Sequence, residues 1–202
     1  MKILFISLGC DKNLADSEEM LGLLTGSGHE IVDSEEEAEA IVINTCCFIH
    51  DAKEESVNTI LEMAEYKKTG KCKALVVTGC MAQRYKEEIT QEIPEVDAVL
   101  GTTSYGDIVK ALNEVQAGHV FQEFRDINEL PEDSGRRVLT TGGHFGYLKI
   151  AEGCDKHCTY CIIPSLRGKF RSVPEERLLA QAEYMASQGV KELILVAQET
   201  TV

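Results

Sequence analysis

The apolar positions of this chain gather into short continuous runs separated by amphipathic stretches. KILFISL over 2–8, AIVIN over 40–44, ALVVT over 74–78 and AVLG over 98–101 have the pattern of buried strands, and HEIV after Gly28 is a shorter one. Between them, DSEEMLGLLT over 16–25 reads as a helix, with Asp16 near its cap and Glu18 and Glu19 in its first turn. Val57, Ile60, Leu61 and Ala64 recur at helical spacing within 51–68, and further helices are expected over 82–92 and 105–115. Strands alternating with helices predict βαβ units, and so an α/β fold with an open, mainly parallel sheet flanked by helices. A polar stretch over 123–141, with Pro131 and Gly135, marks a linker. A second unit follows it: the strand YLKIAE, a helix after Pro174 and the strand ELILVAQ. The division expected is a first domain over 1–125, a linker over 126–144 and the opening of a second domain over 145–202. Two strands and one helix cannot close a core, so the chain is read as the front of a longer protein.

Charge and composition narrow the setting. The apolar fraction of 44% suits a globular protein. No run approaches the ~18–20 apolar residues of a membrane span. The opening MKILFISLGCDKN has too short an apolar run for a secretory signal, so the chain is expected in the cytoplasm, away from membranes. The net charge of -14 is unevenly spread. Residues 1–133 hold 11 Lys and Arg against 27 Asp and Glu, while residues 134–202 hold 9 against 7. An acidic front attracts basic surfaces and repels phosphate backbones, so direct nucleic-acid binding is not expected of this part.

Eight cysteines are many for a reducing compartment, where disulfides are rare and clustered thiols point to metal or redox chemistry. Cys154, Cys158 and Cys161 form a CxxxCxxC. Three thiolates this close can hold an iron–sulfur cluster and leave one iron open for chemistry. Zinc with a distant fourth ligand is the other reading, and the spacing favours the cluster. Cys10, Cys46 and Cys80 each follow an expected strand. In an open parallel sheet such ends line one edge, where ligands bind. These three are therefore expected to converge on a second open-iron cluster, against the alternative of three unrelated buried thiols. Cys47 and Cys72 fit neither set and are read as non-ligands. Asn13 and Asn44 could bond cluster sulfurs or simply shape loops. Arg167 and Lys169 could hold a carboxylate or lie in a solvated loop. His157 is expected to face solvent.

The motifs together resemble a known family. CDKHCTYC is similar to the radical SAM signature, with the aromatic Tyr160 before its last cysteine. LGCDKN with DSE, NTC and TGC, in that order, look like those of the methylthiotransferases. SLGCDKNLADSE, GHFGYLKIAEGC and CIIPSLRGKFRS resemble the ribosomal-protein type (the RimO type) more than the tRNA type. Asp11 and Ala15 depart from residues common in that type. The resemblance implies an N-terminal methylthiotransferase domain with a [4Fe-4S] cluster on Cys10, Cys46 and Cys80. It implies next the first strands of a radical SAM β/α barrel, with a [4Fe-4S] cluster on Cys154, Cys158 and Cys161, and a TRAM domain beyond. S-adenosylmethionine would be the co-substrate, with Tyr160 and Gln198 as expected contacts. The implied reaction adds a methylthio group to the β-carbon of an aspartate in a basic small-subunit ribosomal protein, the S-twelve protein. Abstraction of hydrogen from an unactivated C–H bond needs reactivity that only a cofactor supplies. An electron donor such as flavodoxin or ferredoxin would serve it. The alternatives carried are a tRNA adenosine methylthiotransferase and an iron–sulfur electron carrier or scaffold.

Overall fold

The computed structural model describes residues 1–132 and 135–201. Asp133 and Ser134, in the expected linker, and Val202, at the end of the expected second unit, lie outside the described residues.

Six parallel strands form the main sheet: β1 (Lys2–Ser7), β2 (Glu30–Val32), β3 (Ala40–Thr45), β4 (Ala74–Gly79), β5 (Ala98–Leu100) and β6 (Phe121–Glu123). Their order is β2-β1-β3-β4-β5-β6, and every neighbouring pair is parallel. The central β3 and β4 are buried along their whole length, which is why they read as unbroken apolar runs. Leu4, Ile41, Ile43, Leu75 and Val77 face a core shared with α2 (His50–Thr69), α3 (Cys80–Arg84) and α4 (Lys86–Glu92). Ile3, Val42, Val76 and Leu100 face the other core, with Met20 and Leu24 of α1 (Asp11–Gly26) and Ile108 and Leu112 of α5 (Ile108–Gln116). The strand order reverses between β1 and β3, and a crevice opens at the carboxyl ends there.

Three local expectations change. Helix α1 begins at Asp11, not at Asp16, and its N-cap position is Cys10. Residues 82–92 do not make one helix: α3 and α4 meet at Tyr85, whose extended φ of -123° breaks the run. Strand β6 was not anticipated, because FQE is short and lies at the sheet edge.

Beyond residue 126, β7 (Phe145–Lys149) pairs in parallel with β10 (Glu192–Val196). The run YLKIAE is two strands, for β8 (Ala151–Glu152) leaves β7 at Ile150 and pairs antiparallel with β9 (Arg171–Ser172). Helices α6 (Ile163–Arg167) and α7 (Glu175–Ser187) complete this part, and no closed barrel forms among the described residues. No helix among them is long and apolar enough to cross a membrane.

Candidate metal centre

Cys10 follows β1, Cys46 follows β3 and Cys80 follows β4, so three neighbouring strands deliver three thiols to one end of the sheet. All three line a single cavity of about 480 Å³. Glycines make the delivery possible. Gly79, immediately before Cys80, has a φ of 92°, and a Cβ there would stand 2.3 Å from Asn44 Oδ1. Gly9, immediately before Cys10, has a φ of 94°, and a Cβ there would stand 2.7 Å from Cys46 Cβ. Both positions need the left-handed backbone and close approach that glycine alone gives cheaply. Gly153 precedes Cys154 in the same way. The repeated Gly-Cys pair is a sequence signal for these turns.

Polar groups fix the strand ends. Asn13 is fully buried, and its Nδ2 donates to the carbonyls of Leu8 (3.1 Å) and Thr45 (2.9 Å), tying the Cys10 loop to the Cys46 loop. Asn44 Nδ2 donates to Asn13 O and to Ser17 Oγ, each at 2.9 Å. The Cys46 N–H donates to Ser56 Oγ at 3.0 Å, and the Ser56 hydroxyl donates back to the Cys46 carbonyl at 2.8 Å. Both asparagines thus shape loops, Asn13 Oδ1 also accepts from the Cys80 thiol at 3.8 Å, and neither Asn44 nor Ser56 lines the cavity. Cys46 and Cys80 are buried and Cys10 is exposed. Burial pushes the Cys80 thiol up, and the charge of the Arg167 guanidinium pulls it the other way. Cys47 points into the apolar core, donating to the Cys80 carbonyl at 3.3 Å, with burial pushing its thiol up to about 11. Cys72 lies in the same core against the Ala74 carbonyl, and neither lines the cavity.

Cys154, Cys158 and Cys161 lie in the loop between β8 and α6. The Cys154 N–H donates to Gly168 O at 3.1 Å and the Cys161 N–H to Cys158 O at 2.9 Å. Cys158 is exposed, and Cys154 and Cys161 are half-buried. His157 is exposed, with a φ of 45°. Tyr160 is 90% exposed and stands on the rim of an adjoining opening with Cys161, Arg84, Phe48 and Ile49. Phe48 and Ile49 also line the first cavity, so the two openings adjoin. Gln198 reaches that first cavity with Ile163, Leu166 and Arg167 of α6. Its side chain accepts from the Gly153 N–H (3.0 Å) and donates to Glu152 Oε2 (3.3 Å).

The polar residues that join the two parts lie in α1. Asp16, Ser17, Glu18 and Glu19 are buried, although a helix of this kind usually turns such residues outward. Asp16 pairs with Lys149 and with Arg167 (2.8 Å), and Glu152 pairs with both cations, at 2.7 Å and 3.4 Å. Glu18 pairs with Arg137 at 2.6 Å and accepts from the N–H and hydroxyl of Thr140. Tyr105 donates to Glu19 at 3.0 Å. Arg167 is therefore not in a solvated loop, whereas Lys169 is exposed. The signal available in sequence was charge: an acidic stretch in the front part has its cations in the back part.

The donor set suits an iron–sulfur cluster. Three thiols rise from three strand ends around a cavity, and three more lie in one loop beside it, and thiolates are the usual ligands of such clusters. Among the described residues no three His, Cys, Asp or Glu side chains are grouped as around a single metal ion. A four-iron cluster takes each thiolate on a different iron, so its cysteines surround a core instead.

Residues 2–101 match the family described as Uncharacterized protein family UPF0004, and residues 148–202 match the Radical SAM superfamily. The whole chain is 65% identical over 202 residues to a protein of Lachnoclostridium phytofermentans named Ribosomal protein uS12 methylthiotransferase RimO, covering 46% of it. Proteins of the same name from Clostridioides difficile and Symbiobacterium thermophilum are 49% and 48% identical over 201 residues each. The whole chain takes part in both matches and covers 45% and 41% of those proteins, so it spans a little under half the length of the curated relatives it matches. The chain thus joins a UPF0004 match to a Radical SAM match and is similar along its whole length to proteins named as ribosomal-protein methylthiotransferases.

Proposed function

We propose that the whole protein transfers a methylthio group to the β-carbon of an aspartate in ribosomal protein uS12, in the cytoplasm, and that this chain supplies both of its metal centres. One observation carries the reading: the three strand-end cysteines share their cavity with Gln198 and α6 of the radical SAM segment. A sulfur donor and a radical source must meet at one substrate carbon, and here the cavity of Cys10, Cys46 and Cys80 adjoins an opening bordered by Cys161 of the loop set. Residues 1–125 would be the methylthiotransferase domain, 126–144 the linker and 145–202 the start of the radical SAM domain.

Cys10, Cys46 and Cys80 would hold one [4Fe-4S] cluster, and Cys154, Cys158 and Cys161 the other. Bound there, the clusters with S-adenosylmethionine supply radical hydrogen abstraction and the sulfur that is inserted, chemistry outside the reach of side chains. The residues of the chain do the positioning. Gly9 and Gly79 turn the chain so that neighbouring strands present thiols side by side, and Asn13 holds two of the turns together. Gln198 fixes the start of the CxxxCxxC loop through Gly153 and would face the co-substrate from the cavity wall. Tyr160, exposed at the rim, would cover it from the other side. Reducing equivalents would come from a flavodoxin or ferredoxin.

Two measurements test this. The full-length protein, reconstituted without oxygen, should hold about eight irons per chain, as two four-iron clusters require. It should release 5′-deoxyadenosine when reduced with S-adenosylmethionine. About four irons, all lost on Cys154→Ala, would leave the strand-end set as ordinary thiols. In a deletion strain, uS12 should lose its methylthio mass. An unchanged uS12 together with loss of methylthioadenosine from tRNA would move the target to tRNA.

A further inference from the structure

Arg167 belongs to the radical SAM segment, yet its guanidinium lies against the other set of cysteines. It is 3% exposed and lines the cavity of Cys10, Cys46 and Cys80. Its Nη2 donates to Asn13 Oδ1 at 2.5 Å, and Asn13 is the residue that ties the Cys10 and Cys46 loops together. The Cys80 Sγ stands 3.8 Å from the same Asn13 oxygen. Asp16 and Glu152 hold the guanidinium from the other side, at 2.8 Å and 3.4 Å. Glu152 continues the contact through Gln198 to Gly153, next to Cys154. A buried polar chain thus runs from one cysteine set to the other, and Arg167 is its cation at the cavity wall, where the half-buried Lys12 is the one other cation among the described residues.

Resting on the two-cluster reading above, we infer that Arg167 is a positioning residue that sets the reduction potential of the cluster on Cys10, Cys46 and Cys80. Each electron added to a thiolate-bound cluster adds negative charge. A fixed cation at its wall, screened little by water, stabilises the reduced form. Net charge and hydrogen bonds around the sulfurs are the levers by which proteins tune such potentials. The radical SAM segment therefore contributes to the electronics of the neighbouring domain as well as to its packing.

The test uses full-length protein carrying Cys154→Ala, Cys158→Ala and Cys161→Ala, reconstituted without oxygen, so that any iron sits on the strand-end set. Its midpoint potential is read by a redox titration followed by electron paramagnetic resonance. Arg167→Met should shift the midpoint to more negative values. Asp16→Asn, which removes the carboxylate that neutralises the guanidinium, should shift it the opposite way. Lys169→Met deletes an exposed cation two residues on and should leave it in place. A purely structural ion pair would change the unfolding of the apoprotein in the first two variants and leave the midpoint where it was, which overturns the inference. An equal shift in Lys169→Met overturns it too. If Arg167→Met retains no iron, Asp16→Asn decides, and no positive shift there counts against it. If the triple-alanine protein itself binds no iron, the two-cluster reading is what has failed.

Discussion

Cys10, Cys46 and Cys80 come from three different strands of one sheet, whereas Cys154, Cys158 and Cys161 come from one loop. The first set is assembled by tertiary structure. Two of its thiols are buried, glycines with positive φ precede two of its cysteines, and Asn13, Asn44 and Ser56 fasten the strand ends. The second set is assembled by adjacency in sequence. Its middle thiol is exposed, and its local backbone bonds join Cys161 to Cys158 and Cys154 to Gly168. The difference teaches where each centre is vulnerable. Damage to the sheet or to its buried polar contacts should disable the first centre, and the second should tolerate changes around it as long as its three cysteines and the positive-φ Gly153 remain.

The largest effect is expected where the two parts meet. Asp16→Ala leaves Arg167 and Lys149 buried with one carboxylate, Glu152, in place of two. Removing one partner from a buried ion pair costs about 3–5 kcal/mol. Denaturant unfolding of the apoprotein should show that loss, and Glu18→Ala, which strips Arg137, should behave alike. Gly79→Ala comes next. Its backbone, at φ 92° and ψ -159°, suits glycine alone, and the new Cβ would press on Asn44 Oδ1 and the Thr45 carbonyl. The strain is worth about 3 kcal/mol. Iron should fall by about four atoms per chain, one four-iron cluster, with 5′-deoxyadenosine still released by the loop set. Loss of both functions together would show that the two sets do not fail independently.

Ser56→Ala probes a finer part of the same contrast. The Ser56 hydroxyl meets both the N–H and the carbonyl of Cys46 and is fully buried. Its removal leaves two buried peptide groups unpaired, at a cost of roughly 1–3 kcal/mol. The Cys46 loop should loosen, seen as faster amide exchange at Cys46 and slower cluster loading on the strand-end set.

How much of this was legible in sequence follows from the same contrast. The four apolar runs announced β1, β3, β4 and β5, because strands buried between two layers read as nearly continuous apolar stretches. That places Cys10, Cys46 and Cys80 at strand ends from the sequence alone. The CxxxCxxC needed no fold at all. Helix α1 was misjudged for a physical reason. Its acidic residues look like a solvated first turn, and only tertiary packing reveals Asp16 and Glu18 as buried partners of Lys149 and Arg137, beyond residue 133, and Glu19 as the acceptor of Tyr105 in the first part. Some of the acidity of residues 1–133, first read as a surface for a basic partner, is spent inside the molecule. Edge strand β6 and the break at Tyr85 were too short to leave a periodic trace.

The smallest effect is expected in the loop. Lys156 lies within the CxxxCxxC and pairs with Glu199 at 2.5 Å, but its side chain is exposed. Water already solvates the ammonium and salt screens it, while Glu199, whose side chain is only 9% exposed, keeps the N–H groups of Thr200 and Thr201 and the Thr201 hydroxyl as donors. Lys156→Ala should therefore leave the denaturation midpoint of the apoprotein within error of the parent, and the iron content unchanged. Set beside Asp16→Ala, it compares an ion pair open to water at its cation with a fully buried one in the same chain. A clear loss of iron in Lys156→Ala would mean that the loop depends on its tie to the end of β10 as strongly as the other set depends on the sheet. The distinction between a centre built by folding and a centre built by sequence would then fall.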